Sequence, residues 1–250
     1  MAQDGKYIYC IIPSIHDRSF GPIGVGGRGD EVSTIGHEDM RMVASSHPIA
    51  KITASRENML AHAKVIDVVM KEFAGVLPVR FGIIATDVEI LEILRKENVK
   101  FKELLKKLDN KKELGVKAVF IEEAIYSYIL EKHKDINKLK MSIIAKPPEK
   151  TYPQRMKIGE MVEAALRAEV EILKKEILRI LSPLAVEVKI NNAFGVRMII
   201  NAAFLVEVDK EEAFYRKVND IDTKYGKRIK LKYVCEVPPF NFVNLKIAAS

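Results

Sequence analysis

Apolar residues recur along this chain with two periods, and the change of period marks its elements. Residues 6–12 alternate aromatic and aliphatic side chains and read as a strand. Beyond a glycine-rich loop at 19–29, residues 31–35 and 40–45 read as further short strands. Over 56–73 the period becomes helical: Met59, Leu60, Ala63, Ile66, Val69, Met70 and Phe73 recur at three- and four-residue steps, with Ser55 as N-cap. Residues 76–85 are expected as a strand interrupted at Pro78, then 87–98 and 100–108 as two short helices rich in Glu and Lys. This order predicts an α+β domain over residues 1–112.

The second half has a different order. A strand at 115–121 and a helix at 122–132 lead into a polar segment, 134–154, that contains Pro147-Pro148. A long helix over 155–181 carries Ile158, Met161, Val162, Ala165, Leu166, Val170, Leu173, Ile177 and Leu181 on one stripe, and Pro183 stops it. Strands at 185–190 and 197–208 flank Asn191-Asn192-Ala193-Phe194-Gly195, a hairpin signal. A helix at 211–225 and a strand at 228–235 complete the series. Strand, helix, strand, strand, helix, strand is the ferredoxin-like order. The expected second domain therefore covers 113–236, with a helical insertion over about 131–182 spliced into its first crossover, and 237–250 remains as a tail.

Two runs place a proline where a strand would otherwise continue. One is Val76-Leu77-Pro78-Val79-Arg80-Phe81-Gly82. The other follows the basic strand at 225–233 and reads Val237-Pro238-Pro239-Phe240-Asn241-Phe242-Val243. Proline removes a ladder donor, so each run is expected to leave its sheet there. The aromatics beside it then need another surface to bury against. Arg80 has two readings. It is a partly exposed strand arginine, or its fork packs at a domain junction against a carboxylate or a tail carbonyl.

Together these runs resemble the gas-vesicle accessory protein family F/L, whose members carry a Leu-Pro-x-Arg-Phe-Gly run and a basic strand leading into Pro-Pro-aromatic-x-Phe. The opening Tyr7-Ile8-Tyr9-Cys10-Ile11, the 112–117 run, the late strand Asn201-Ala202-Ala203-Phe204-Leu205-Val206 and the Phe214 helix are similar in the same order. Where relatives often read Thr-Gly-Pro-Trp before Pro-Pro, this chain has Val234-Cys235-Glu236-Val237. The resemblance implies an α+β first domain beside a modified ferredoxin-like domain with a helical extension. It also implies a tail that packs between them, with Pro78, Arg80, Phe81, Pro238, Pro239, Phe240, Phe242 and Leu245 as junction residues and the segment 237–247 folding back. In function it implies a non-enzymatic, cytoplasmic structural or assembly protein at the gas vesicle, of F or L type. Its partner would be the small hydrophobic shell subunit, alongside other accessory proteins. A subunit that buries most of its surface in a wall exposes that surface beforehand and needs a platform.

Composition adds bounds. Hydrophobic residues make up 48% of the 250, enough for real cores. No apolar run reaches the roughly 18 residues of a membrane span, and no signal-peptide pattern opens the chain, so a soluble intracellular protein is expected. Cys10 and Cys235 lack paired spacing and are expected as inert core thiols. The net charge is +7. Residues 131–157 alone hold eight Lys or Arg against three acids. Such a run is ordinarily a solvated helical face; its functional alternative is an acidic protein partner.

Catalytic and ligand motifs fail their context. Gly24-Val25-Gly26-Gly27-Arg28-Gly29 spells GxGxxG, but a dinucleotide site needs a helix to follow, and Asp30-Glu31-Val32-Ser33 reads as acidic strand. His37-Glu38 begins a zincin-like pattern, yet Arg41 stands where the second histidine belongs. The five histidines do not cluster at ligand spacing, no G-x-S-x-G occurs, and Glu122-Glu123 and Glu211-Glu212 complement helix starts. The expectation is no catalytic, cofactor or metal residue, and no nucleic-acid, membrane or small-molecule partner. The alternative is a nucleotide-binding or nucleic-acid-binding regulatory protein. The nucleic-acid form needs exposed aromatics on the ferredoxin-like sheet, where 197–208 offers Phe204 alone.

Overall fold

The computed structural model describes residues 4–245. By internal contacts the described chain divides into two units: residues up to Glu113 with those from Glu236 onward, and Leu114–Cys235.

In the first unit the central strand is β1 (Asp4–Pro13), and every side chain from Tyr7 to Ile12 is fully buried. The antiparallel sheet runs β2 (Ser19–Gly21), β3 (Val32–His37), β4 (Met40–Pro48), β1, β5 (Leu77–Pro78); β6 (Ile84–Ala85) also pairs with β1. A register shift between Ile8 and Cys10 inserts one residue, which resets the alternation. Tyr7, Tyr9, Cys10 and Ile12 thereby join one core cluster. Helix α1 (Arg56–Glu72) closes that cluster with Val65, Ile66 and Val69. Helix α2 (Asp87–Leu108) packs on β3, β4 and β5 through other buried residues, among them Ile90, Leu94 and Phe101.

The second unit is the expected ferredoxin-like series. Strand β7 (Lys111–Phe120) leads through helices α3 (Glu122–Lys132), α4 (Lys134–Ile143) and α5 (Tyr152–Leu181) to β8 (Glu187–Ile190). Strand β9 (Met198–Glu207), helix α6 (Glu211–Tyr225) and strand β10 (Ile229–Val237) follow. The sheet order is β10-β7-β9-β8, so residues 115–120 and 229–235 share one sheet, as the ferredoxin-like reading requires. Leu114, Val116, Ala118 and Phe120, alternate residues of β7, face the helices and meet Ile129, Ile177, Phe204, Phe214 and Ile221 in one core. Phe204 is thus core rather than a base-stacking platform.

The elements differ from the expected ones in specific ways. The α1 stripe is rotated: His62 sits with Val65, Ile66 and Val69 on the buried face, whereas Met59 and Leu60 are exposed, because buried aromatic partners receive the imidazole. The two short helices at 87–98 and 100–108 are one 22-residue helix, since no Gly or Pro breaks it at Val99. The long helix begins at Tyr152, with Pro153 tolerated in its first turn, where no intrahelical donor is needed. Pro78 does not leave the sheet; it is buried opposite Cys10 on a two-residue edge strand, where its missing N–H is harmless. Cys10 is buried, and desolvation raises its thiol pKa; Cys235 is exposed, so only one of the two is a core thiol.

Helix α2 opens with a reciprocal cap. The Glu89 N–H donates to Thr86 Oγ1 at 3.2 Å, and the Thr86 N–H donates to Glu89 Oε2 at 2.7 Å. Thr86→Ala should lower the stability of the first unit by about 1 kcal/mol in denaturant titration. A change within error would mean that the cap carries no net energy.

Candidate functional site

The tyrosines of β1 bring two hydroxyls into the first core, where an unpaired hydroxyl costs about 1–3 kcal/mol. Each is paired with backbone from a distant loop. Tyr9 Oη accepts the Val25 N–H at 2.8 Å and lies 2.8 Å from Ser45 Oγ. Tyr7 Oη accepts the Gly82 N–H at 3.0 Å and lies 2.9 Å from His62 Nδ1. His62 Nε2 is 3.1 Å from the Val79 carbonyl. A carbonyl only accepts, so Nε2 carries the proton and Nδ1 receives the Tyr7 O–H. The chain of donation is Gly82 N–H to Tyr7, Tyr7 O–H to His62, and His62 N–H to Val79. Desolvation pushes the His62 pKa down to about 4 and raises the pKa of both tyrosines.

The C-terminal residues complete this group from within the same unit. The Phe240 ring stacks over His62, with centroids 6.4 Å apart and planes at 27°. Phe81 lies edge-on to His62 at 5.7 Å and to Tyr7 at 5.9 Å. Pro238-Pro239 turns the chain: the Val243 N–H donates to the Pro239 carbonyl at 3.1 Å, and Phe242 and Val243 are buried. Asn241 then grips Glu113 twice, its N–H to Oε2 at 3.0 Å and its side-chain amide to Oε1 at 2.5 Å. Burial raises the Glu113 pKa despite these two donors, so desolvation outweighs hydrogen bonding there. Burying Phe242 and Val243 contributes about 1.5–3 kcal/mol each before the entropy of ordering the tail.

The glycine loop is a structural turn. Gly26, Gly27 and Gly29 have positive φ, and a Cβ on Gly24 would lie 2.9 Å from the Asp30 carbonyl. The Val25 and Gly26 N–H groups donate to Tyr9 and Asn58 Oδ1, and Arg28 donates to the Ser46 carbonyl. These donors face protein acceptors, and strand β3 follows the loop. In the second unit Cys235, Tyr215, Tyr233, Val208, Glu211 and Glu212 line an open cleft of about 420 Å³.

The tyrosine strand, the Leu-Pro-Val-Arg-Phe-Gly run and the Pro-Pro-Phe-Asn-Phe tail thus meet at one histidine. The sequence profile of gas vesicle synthesis protein GvpL/GvpF matches residues 5–244. The chain belongs to that family. It is 29% identical to gas vesicle protein F of Dolichospermum flosaquae over 198 residues, which cover 78% of this chain and 80% of that one. With gas vesicle protein F of Streptomyces sp. (strain CB03234) the identity is 28% over 243 residues, 95% and 98% of the two chains. The crystal structure of GvpF from Anabaena sp. PCC7120 superposes with a TM-score of 0.81 at 25% identity, over 98% of this chain and 100% of that one.

Within this GvpL/GvpF member, the residues singled out in the sequence do not all converge. Pro78 is buried, Phe81 and Phe240 lie against His62, and Phe242 is buried, while Pro238, Pro239 and Leu245 are half-buried. Arg80 is exposed, and among the described residues it forms no ion pair. Residue 247, the far end of the expected docking segment, lies outside the described residues. Sequence reasoning passed over Tyr7, His62, Glu113 and Asn241. The available signals were two tyrosines two apart in an otherwise aliphatic strand and a histidine amid an apolar helical run.

His62 makes the first unit acid-sensitive. Its folded pKa lies below the ordinary 6.5, so the unfolded state takes up the proton first. Stability should fall as pH drops below about 6.5 and level off near 4, by at most about 3 kcal/mol. Glu113, with its raised pKa, acts in the opposite direction, so the quantity to measure is the difference between wild type and His62→Gln. A flat difference curve would remove His62 as the cause. Tyr7→Phe should cost about 2 kcal/mol by leaving the Gly82 N–H and His62 Nδ1 unpaired, as read by chemical denaturation.

Proposed function

We propose that this chain is a non-enzymatic assembly component of the gas vesicle that binds the small hydrophobic shell subunit through its first unit and acts in the cytoplasm. Family membership supports the gas-vesicle role. The observation that carries the binding reading is an apolar stripe on the solvent side of α2: Val88 is 67% exposed, Leu91 41% and Val99 70%. At 100° per residue the three fall within one 80° arc of the helix. Met59 and Leu60 add exposed apolar surface on α1 of the same unit. Leaving such side chains in water is unfavourable unless a partner covers them, and a hydrophobic shell subunit is a partner of matching chemistry.

Co-purification of the full chain with the shell subunit tests this directly. The triple variant Val88→Asp/Leu91→Asp/Val99→Asp should lose most of the captured subunit while keeping its circular dichroism spectrum. Full retention by the folded variant would reject α2 as the docking face.

A second element of the proposal is electrostatic. The insertion keeps Lys134, Lys138, Lys140, Lys146, Lys150, Arg155 and Lys157 exposed, which supports steering toward an acidic surface of the partner. Reversing Lys138, Lys140, Lys146 and Lys150 to Glu should slow association about tenfold at low salt, and added salt should shrink the difference. Equal rates at low salt would take the segment out of the mechanism. The tail is also proposed to hold the two units together. Removal of residues from Pro238 onward should then leave both folded and increase the radius of gyration in small-angle scattering. An unchanged radius with unchanged protease resistance would dismiss that role.

A further inference from the structure

The two edges of the second unit's sheet are chemically different. At one edge β10 presents exposed Lys230 and Lys232. A second copy pairing antiparallel there about Leu231 would set lysine opposite lysine, a repulsive arrangement that protects an edge. At the other edge Ile190 of β8 is 55% exposed and Val186, just ahead of the strand, 57% exposed, with Glu187 and Lys189 between them. Its ladder to β9 pairs Glu187 with Leu205, Val188 with Phe204, Lys189 with Ala203 and Ile190 with Ala202. The Asn191 N–H donates to the Asn201 carbonyl at 2.7 Å, which continues the same register. In an antiparallel ladder, backbone groups face the partner at every second residue. Asn191, Lys189 and Glu187 therefore turn theirs toward β9, and Val188 and Ile190 turn theirs outward; the Val186 N–H also donates to β9, to the Leu205 carbonyl at 2.8 Å, so the regular alternation begins at Glu187.

We propose that β8 is a self-association edge, on which a second copy of this chain pairs antiparallel about a two-fold axis at Val188. A two-fold can pass through a hydrogen-bonded or a non-hydrogen-bonded pair, but Glu187 or Lys189 on the axis would face its own like charge, which leaves Val188 or Ile190. Centring on Val188 sets Glu187 opposite Lys189 of the second copy, twice by symmetry, and Val188 opposite Val188. Opposite charges then meet on one face and the two Val188 side chains on the other, both favourable cross-strand pairs. Centring on Ile190 instead sets Lys189 opposite Asn191 and matches no charge. The segment Glu187-Val188-Lys189 is self-complementary about Val188, as an isologous contact requires. In the chain itself Lys189 Nζ lies 3.1 Å from Glu187 Oε1, so the two side chains already share a face. In the dimer the four charges would alternate in sign.

Sedimentation velocity of the full chain at low salt, over a concentration series, tests this proposal. A reversible dimer is expected. Lys189→Glu places Glu opposite Glu at both symmetric positions and should weaken the dimer about tenfold. The charge swap Glu187→Lys/Lys189→Glu should restore wild-type association, because the two-fold axis pairs the swapped charges again. A wild-type chain that stays monomeric at hundreds of micromolar overturns the proposal. So does a dimer indifferent to Lys189→Glu, or one that the swap fails to restore.

Discussion

The first unit depends on one constraint: two tyrosine hydroxyls buried in the middle of its central strand must each find partners. Tyr9 is paired by the glycine loop and by Ser45 of β4, and Tyr7 by Gly82 and by His62 of α1. Segments far apart in sequence are thereby tied to β1 by polar contacts, each of which would leave a buried group unsatisfied if broken. The strand's aliphatic neighbours supply the bulk of the burial, while the hydroxyls specify which loop lies where.

Neutral His62 follows from the same constraint. Donating to the Val79 carbonyl and accepting from Tyr7 uses both ring nitrogens, and burial makes an added proton unfavourable. The uncharged ring then offers a flat apolar face to Phe240. Glu113 plays a comparable part for the tail backbone, accepting two Asn241 donors at the expense of its own desolvation. The β1 tyrosines, the Leu-Pro-Val-Arg-Phe-Gly run and the Pro-Pro-Phe-Asn-Phe tail therefore converge on a packing and hydrogen-bonding centre, with its polar atoms paired to protein.

The second unit is organised differently. Alternate residues of β7 and β9 pack on the stripes of α3, α5 and α6, and α4 contributes Ile136 while leaving its lysines in water. One buried carboxylate, Glu169 on α5, is paired with Lys132 at the end of α3. Aromatic faces take up Arg228, whose guanidinium lies 4.4 Å from the Tyr128 centroid. The surface chemistry of this unit, a cationic insertion and one unguarded sheet edge, lies outside the elements that hold its core.

Local sequence determined the elements whose signal is periodic or covalent. The ferredoxin-like order was legible because apolar spacing switches between two and 3.6 residues with clear stops, such as Pro183 after the long helix. The glycine loop was legible as a turn because glycine alone enters positive φ freely, and four glycines of the 19–29 loop adopt it. Only the tertiary structure decided the rotation of α1, since the same sequence offers Met59 and Leu60 or His62 as the inward stripe. Hydrophobicity favours the first choice. The partners waiting in β1, in the Val79 carbonyl and in Phe240 select the second. Pro78 stayed in its sheet for a similar reason, because an edge strand needs no donor on its outer side. Pairing of buried polar groups depends on residues dozens of positions apart, so no window along the chain contains it.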